Sequence, residues 1–351
     1  MRALRITGAR ALLDHGLEDV AVRVEDGRIA EIGGPARADA RDLDASGLIL
    51  APALVDIHGD AFERQVSPRP GVFAPPQVAA LDTDRQLAAA GIATSGHALT
   101  LSWEPGLRSV AQARAFLGAL DAVSGRLNVE HRVQLRWEVF ALEAEAFLLE
   151  ALRAPLTPSL AFNDHTSMTM RSFDVPVTER AFEFSDDFVA AAPDDPRMPR
   201  RIAGSAKRAG LSEAEYMARQ LEIWARRPEI PAAVERVAAA ARAAGAAMLS
   251  HDDTQQETRD WYRARGARIA EFPMQEAVAR DARAQGEAVV LGAPNVMRGG
   301  SHIGSLDAAD MVEAGVCDVL ASDYHYPAML AAVGRLAEER RGPLPARWSC
   351  L

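Results

Sequence analysis

The chain has 351 residues, of which 48% are hydrophobic and 25% charged, and its formal net charge is -10. That length suits one large domain accompanied by a small one, and the acidity excludes nonspecific nucleic-acid binding, leaving any phosphate capture to a local basic cluster. Two cysteines, Cys317 and Cys350, exclude a disulfide framework and a cysteine metal site; with no leader-like start and no apolar run of membrane-spanning length, the expectation is a cytoplasmic protein without a membrane partner.

Residues 1–50 predict a small β domain. In Ala21–Ile32, AVRVEDGRIAEI, Asp26-Gly27 interrupts alternating apolar residues, a strong hairpin signal. The apolar run Leu48–Ile57 then reads as one strand buried on both faces, ending in His58-Gly59-Asp60. Strand side chains alternate, so His58 and Asp60 share a face, where an imidazole and a carboxylate suit a divalent metal of the zinc or manganese type. For this triplet alone, a satisfied histidine and a loop aspartate is the commoner reading. Arg64 and Arg69 follow closely, the latter in the stiff turn Ser67-Pro68-Arg69-Pro70-Gly71, and guanidinium forks suit phosphate.

Residues 51–340 alternate short apolar strands with Ala-rich helical stretches. Further strands are predicted over Ile92–Leu101, Val133–Phe140, Ser159–Phe162, Ala246–Ser250, Arg268–Phe272, Ala288–Leu291 and Val316–Ala321. Helices are predicted over Asp84–Ala90, Val110–Val123, Ser212–Arg226 and Pro231–Ala244. The fold class is therefore α/β, a (β/α)8 TIM-type barrel. A doubly wound sheet would want a Gly-rich nucleotide turn after its first strand, and there is none. Thr166–Leu211 is long and Pro-punctuated, as fits either a lid or a plain insertion. Residues 341–351 read as a tail.

Ligand-type residues recur where these strands end. His58 and Asp60 close the first strand, His165 the fourth, His251 the fifth and Asp323 the eighth, while Glu138 stands late in the third. In a barrel those ends meet at one mouth, so six nitrogen and oxygen donors there point to a site for one or two divalent ions. Zinc is the first expectation, with manganese or iron as alternatives.

These residues carry a resemblance. The small β domain, the strand running into H-x-D and Ser322-Asp323-Tyr324 on the last strand resemble the amidohydrolase superfamily. Glu63-Arg64, Pro68–Gly71, Glu130-His131-Arg132, Ser250–Asp253, Ala270–Pro273, Gly292–Asn295 and Arg298–His302 are similar to its phosphonate-utilisation branch. That branch comprises the α-D-ribose 1-methylphosphonate 5-triphosphate diphosphatases of the carbon–phosphorus lyase pathway. The resemblance implies metal ligation by His58, Asp60, His165 and His251, with Asp323 as metal-linked general base and His302 as a donor to the leaving group or a further ligand. Many superfamily members bridge two metals with a carboxylated strand lysine. The sole lysine here, Lys207, lies in the long insertion, which leaves Glu138 as the strand carboxylate able to substitute, unless it simply pairs with Arg136 or Arg132. The implied chemistry is hydrolysis of a phosphoanhydride of a small phosphorylated sugar phosphonate by metal-activated water, releasing pyrophosphate. Arg64, Arg69, Arg171 and Arg298 and the N–H groups of Gly299 and Gly300 would bind the phosphates.

The resemblance also implies that relatives continue past the last barrel helix with strands completing the small domain. This chain ends at Leu351, so the expectation is an incomplete small domain with open edges and a homo-oligomer, a dimer being the simplest. Two other functions stay open: hydrolysis of a C–N bond, as in cyclic amidases and deaminases, which would need no arginine cluster, and a catalytically silent metal-binding scaffold.

Overall fold

The computed structural model describes residues 3–36, 39–301, 304–339 and 341–351. Seven short strands come first: β1 (Ala3–Thr7), β2 (Arg10–Leu13), β3 (Gly16–Glu18), β4 (Val22–Glu25), β5 (Arg28–Ile32), β6 (Ala40–Asp44) and β7 (Ile49–Leu50). They form two small sheets, ordered β5-β4-β1-β6 and β3-β2-β7. The β4–β5 hairpin turns at Asp26 and Gly27, both in the left-handed region at φ 50° and 75°, as that dipeptide predicts. Ile29, Ile32 and Leu43 on the outer strands of the larger sheet are exposed.

Eight parallel strands follow, each hydrogen-bonded to the next: β8 (Leu54–Gly59), β9 (Ile92–Leu101), β10 (Glu130–Glu138), β11 (Ser159–Asn163), β12 (Met248–His251), β13 (Ile269–Glu271), β14 (Ala288–Gly292) and β15 (Val319–Ala321). Helices such as Val110–Val123 and Ile230–Ala244 pack apolar faces on them, joining Phe116, Val234 and Trp137 in one core. Along β10 the alternation is clear. Leu135 and Trp137 enter that outer core, while Gln134, Arg136 and Glu138 bond to Glu271, Asp60 and His165, at or just past the ends of other barrel strands.

The last barrel strand meets the first through a compact set of bonds. Asp60 N–H donates to the Asp323 carbonyl and Asp323 N–H to the His58 carbonyl, both at 2.9 Å. The buried Asp56 carboxylate accepts the Ser322 N–H at 3.0 Å and its hydroxyl at 2.6 Å. Gly59 is required at this seam: a Cβ there would stand 2.6 Å from Asp56 Oδ2 and 3.1 Å from Ser322 Oγ. The seam thus sets His58 and Asp60 beside Asp323.

Some boundaries differ from those read in the sequence. The run Leu48–Ile57 is two strands, β7 in a small sheet and β8 in the barrel, separated at Ala51–Ala53, because Pro52 has no N–H to give a ladder. Nor is the second piece buried on both faces, since Val55 is 47% exposed. The helix expected from Asp84 begins at Pro76, with proline in its first turn. The final residues are more than a tail. Helix Leu344–Trp348 leads to Cys350 and Leu351, whose carbonyls accept the N–H groups of Leu320 (2.6 Å) and Val55 (2.9 Å), extending over β15 and β8.

Thr166–Leu211 is a built wall. Asp164 caps the helix His165–Met170 by accepting Ser167 N–H at 2.7 Å. The helix Met198–Ala209 buries Met198, Ile202 and Ala206 against Tyr216 of the helix Glu213–Trp224. Among the described residues, no helix is long and apolar enough to cross a membrane.

Candidate metal centre and adjoining cavities

Three histidines converge at the barrel mouth, and a buried glutamate faces the Nδ1 of each. Glu271, fully buried at the end of β13, lies 2.8 Å from His251 Nδ1 through Oε2 and 2.9 Å from His58 Nδ1 through Oε1, the latter at a poor angle for a hydrogen bond. Gln134 holds the same Oε1 at 2.7 Å. Glu138 Oε1 lies 2.6 Å from His165 Nδ1, and its Oε2 accepts the His165 N–H at 3.1 Å. A carboxylate on one ring nitrogen fixes the ring and leaves the other nitrogen for a metal. Among the described residues, the buried His58 Nε2 has no hydrogen-bond partner, the kind of orphan that a bound ion would satisfy.

Carboxylates complete the arrangement. His58, Asp60 and Asp323 offer one atom each within 4.8 Å of one another, and so do His165, His251 and Asp252. Asp252 Oδ2 is 3.4 Å from His165 Nε2 and 3.5 Å from His251 Nε2. Between the groups, Arg136 reaches Asp60 Oδ2 at 3.3 Å and His251 Nε2 at 2.8 Å. The donor set fits a divalent ion of zinc, manganese or iron type.

Electrostatics follow from burial and neighbours. Burial opposes the charged form of His165, but Glu138 and Asp252 overcome it and raise its pKa to about 9. Burial would also raise Glu138, yet His165 and Arg136 bring it down to about 2. Glu271 is likewise held below the usual carboxylate range against burial by His58 and His251. Asp323 goes the other way: burial, then the nearby Asp60, push its pKa up.

The backbone is strained here. Asp252, Phe272 and Asp323, each just past a barrel strand, adopt φ of 59°, 53° and 54°. For non-glycine residues this costs about 1–3 kcal/mol each and clusters at functional sites. At Phe272 the turn places the ring edge-on to His58 and His251, at 4.9 and 5.2 Å between centroids.

Two cavities adjoin the centre. One, of about 300 Å³, is lined by Glu138, His165, Thr166 and Arg171 together with Trp103 and Arg201. The other, of about 230 Å³, is lined by Arg136, His251, Asp252, Asp323, Asn295 and Tyr324.

The structure thus gathers His58, Asp60, His165, His251 and Asp323. Glu138 stands behind His165 with both oxygens engaged, a position different from the bridging one expected of it, and its bonding partner is the histidine, with Arg136 adding only charge. Arg171 lines the first cavity. Arg64 is exposed and donates to the Tyr324 carbonyl at 2.7 Å. Arg69 is exposed in a turn bridged to Val72, and Arg298 is exposed at a helix end. Gly299 and Gly300 differ from expectation for a clear reason. Gly299, at φ 81°, and Gly300 both donate their N–H groups to the Asn295 carbonyl, at 3.1 and 3.0 Å, capping the helix Ala293–Arg298. His302 lies outside the described residues. Of the remaining histidines, His15 is exposed beside Glu18, and His97 is buried against His131 at 2.7 Å.

Sequence reading missed Glu271, Asp252 and Arg136. Glu271 ends its strand as His165 and His251 nearly do theirs, and Arg136 shares a face with Glu138 by strand alternation, so both were accessible to the rule applied elsewhere.

No protein-family model matches the chain. Among curated proteins, it is 27% identical over 340 residues to the alpha-D-ribose 1-methylphosphonate 5-triphosphate diphosphatase of Escherichia coli (strain K12), covering 95% of this chain and 84% of that protein. Among solved structures, it superposes on an amidohydrolase from a Sargasso Sea environmental sample with a TM-score of 0.57 at 14% identity, over 99% of this chain and 77% of that one. A D-hydantoinase gives 0.55 at 12% identity (99% and 80%), and the 5-methylcytosine deaminase of Klebsiella pneumoniae gives 0.53 at 14% (99% and 87%). The chain therefore resembles the diphosphatase along nearly its whole length and shares a fold with amidohydrolase-type enzymes.

Proposed function

We propose that this chain is a metal-dependent hydrolase of the amidohydrolase type that cleaves a phosphoanhydride of a ribose 1-phosphonate 5-triphosphate and releases pyrophosphate. The observation that carries the substrate class is the likeness to the Escherichia coli diphosphatase over 95% of the chain. The metal dependence is supported by the three glutamate-backed histidines and by the buried Nε2 of His58, which has no hydrogen-bond partner among the described residues.

His58, Asp60, His165, His251 and Asp323, with Asp252 beside them, would hold the ion. A divalent cation there supplies the positive charge that makes water nucleophilic near neutral pH and stabilises charge developing on phosphoryl oxygens. The protein's own parts are separable. Glu271 and Glu138 fix the histidine rings, and Asp323, its carboxyl raised by burial and Asp60, takes the proton from water. Arg136, between Asp60 and His251, contributes a fixed positive charge beside the reacting group.

The test is substrate discrimination by the purified protein loaded with zinc or manganese. The proposal expects pyrophosphate from α-D-ribose 1-methylphosphonate 5-triphosphate and no ring opening of hydantoin or dihydrouracil. Ring opening without pyrophosphate would replace it with the C–N reading, and a metal-loaded protein inert on both would support the silent scaffold.

A further inference from the structure

The cavity beside His165 and Glu138 is lined by four arginines, Arg108, Arg171, Arg201 and Arg208. Two are already neutralised. Arg108 makes paired 2.9 Å bonds to Glu63. Arg208 grips Glu104 at 2.8 and 3.1 Å, and Tyr216 donates to the same carboxylate at 2.8 Å. His165 and Glu138 cancel as a third pair.

Among the described residues, the Arg171 and Arg201 side chains hydrogen-bond to carbonyl groups alone. Arg171 Nη1 donates to Met168 at 2.7 Å, and its Nε is buried without a partner. Arg201 Nη1 donates to Thr169 at 2.9 Å and to Arg171 at 2.5 Å, with its guanidinium 3.3 Å from the centre of the Phe173 ring. Carbonyls orient a guanidinium but do not cancel its charge. Partial burial and neighbouring cations lower the pKa of both, to about 10 for Arg201, where Arg171 exerts the strongest like-charge effect. Two positive charges with no ion pair among the described residues thus share one cavity in a chain of net charge -10, Asp195, the acidic neighbour of Arg201, being held by Arg197 at 2.7 Å. Their scaffold is fixed: Arg171 pairs with Ala190 in a β-bridge, Ala191 N–H donates to the Met170 carbonyl at 2.7 Å, and Arg201 sits in the helix Met198–Ala209. Thr169, Ser102 and Ser205 add hydroxyl groups to the same walls.

We infer that Arg171 and Arg201 form the binding site for a phosphate-type dianion of the substrate, in the cavity beside the metal centre and away from the exposed Arg64 and Arg69. The choice of a polyphosphate as the bearer of that dianion rests on the proposed reaction; the anion site itself does not. It gives Thr166–Leu211 a role, since that segment brings both arginines to the cavity.

The experiment uses full-length protein stripped of metal with EDTA and inorganic pyrophosphate as the probe, so that coordination to a metal cannot account for binding. Titration calorimetry should show pyrophosphate binding to wild type. Affinity should fall roughly tenfold or more in Arg171→Gln and in Arg201→Gln, the loss expected for a charge-assisted contact. Arg201→Lys should keep most of it, and Arg126→Gln, an exposed site elsewhere, should match wild type. A second measurement needs no variant: pyrophosphate should protect Arg171 and Arg201 of wild type from phenylglyoxal, read by peptide mass. Absent binding, glutamine variants that bind like wild type, or unprotected arginines would overturn the inference. Pyrophosphate binding without phosphoanhydride turnover would leave this site standing and remove only the proposed reaction. Turnover without protection would do the reverse.

Discussion

Glu271 Oε2 lies 2.8 Å from His251 Nδ1, and both side chains are buried inside the barrel. The other carboxylate oxygen stands 2.9 Å from His58 Nδ1 at a poor hydrogen-bond angle, so one carboxylate hydrogen-bonds one ring and sets its charge against a second from a different strand. A neutral amide has a single acceptor oxygen and cannot serve both. Glu271→Gln is therefore expected to weaken divalent-metal affinity by roughly 10–100-fold, measured by competition with a chromophoric chelator. Unchanged affinity would mean that the two rings are held by something else.

Asp323 combines a raised pKa, a left-handed backbone and a place beside His58 and Asp60. Loss of a positioned general base costs roughly 10²–10⁴ in rate. Asp323→Asn should show that loss in kcat. Bound metal, counted by elemental analysis in the same preparation, separates a lost base from a lost ligand.

The barrel seam depends on Asp56. Without its carboxylate, the Ser322 N–H and hydroxyl would be buried without acceptors. Asp56→Ala should destabilise the protein by about 2–4 kcal/mol, since each orphaned buried group costs about 1–3 kcal/mol. Urea denaturation measures it, and a change under about 0.5 kcal/mol, typical of neutral surface sites, would refute the role assigned to this residue.

Asp84 anchors the chain just before β10. It accepts the N–H groups of Asn128 and Val129 at 2.8 and 2.9 Å and faces His131 at 3.2 Å. Burial alone would raise its pKa, but these donors bring it below the ordinary value. A carboxyl whose pKa is lower folded than unfolded adds stability above the unfolded value, near about 4, and loses it as pH falls through the folded one. The advantage of wild type over Asp84→Asn in denaturation experiments should then be constant near neutrality and shrink below about pH 4. An advantage independent of pH would contradict this.

Much of this architecture was legible in the sequence because its signals are local. The Asp26-Gly27 turn and the helix Val110–Val123 match the sequence reading, and the helix read over Ser212–Arg226 is observed over Glu213–Trp224. His58, Asp60, His165, His251 and Asp323 could be gathered from the rule that strand ends in a barrel meet at one mouth. What the pattern could not carry were relationships across the barrel. That Glu138 would spend both oxygens on His165 depends on register between β10 and β11, where Glu138 stands opposite Asn163. The Gly299-Gly300 pair reads equally as an anion nest or a helix cap, and only the neighbouring Asn295 carbonyl decides. Arg171 and Arg201 lie thirty residues apart, and which cations in an arginine-rich insertion remain without an ion pair depends on where Glu104, Glu183 and Asp195 fall.

In the proposed reaction, an ion held by these histidines and aspartates drives pyrophosphate release. Phosphorus NMR of α-D-ribose 1-methylphosphonate 5-triphosphate, incubated with EDTA-stripped protein before and after addition of zinc or manganese, tests it most directly. The expected result is no turnover in the stripped protein and pyrophosphate appearing on metal addition. Metal bound at the site with the triphosphate left intact would contradict it.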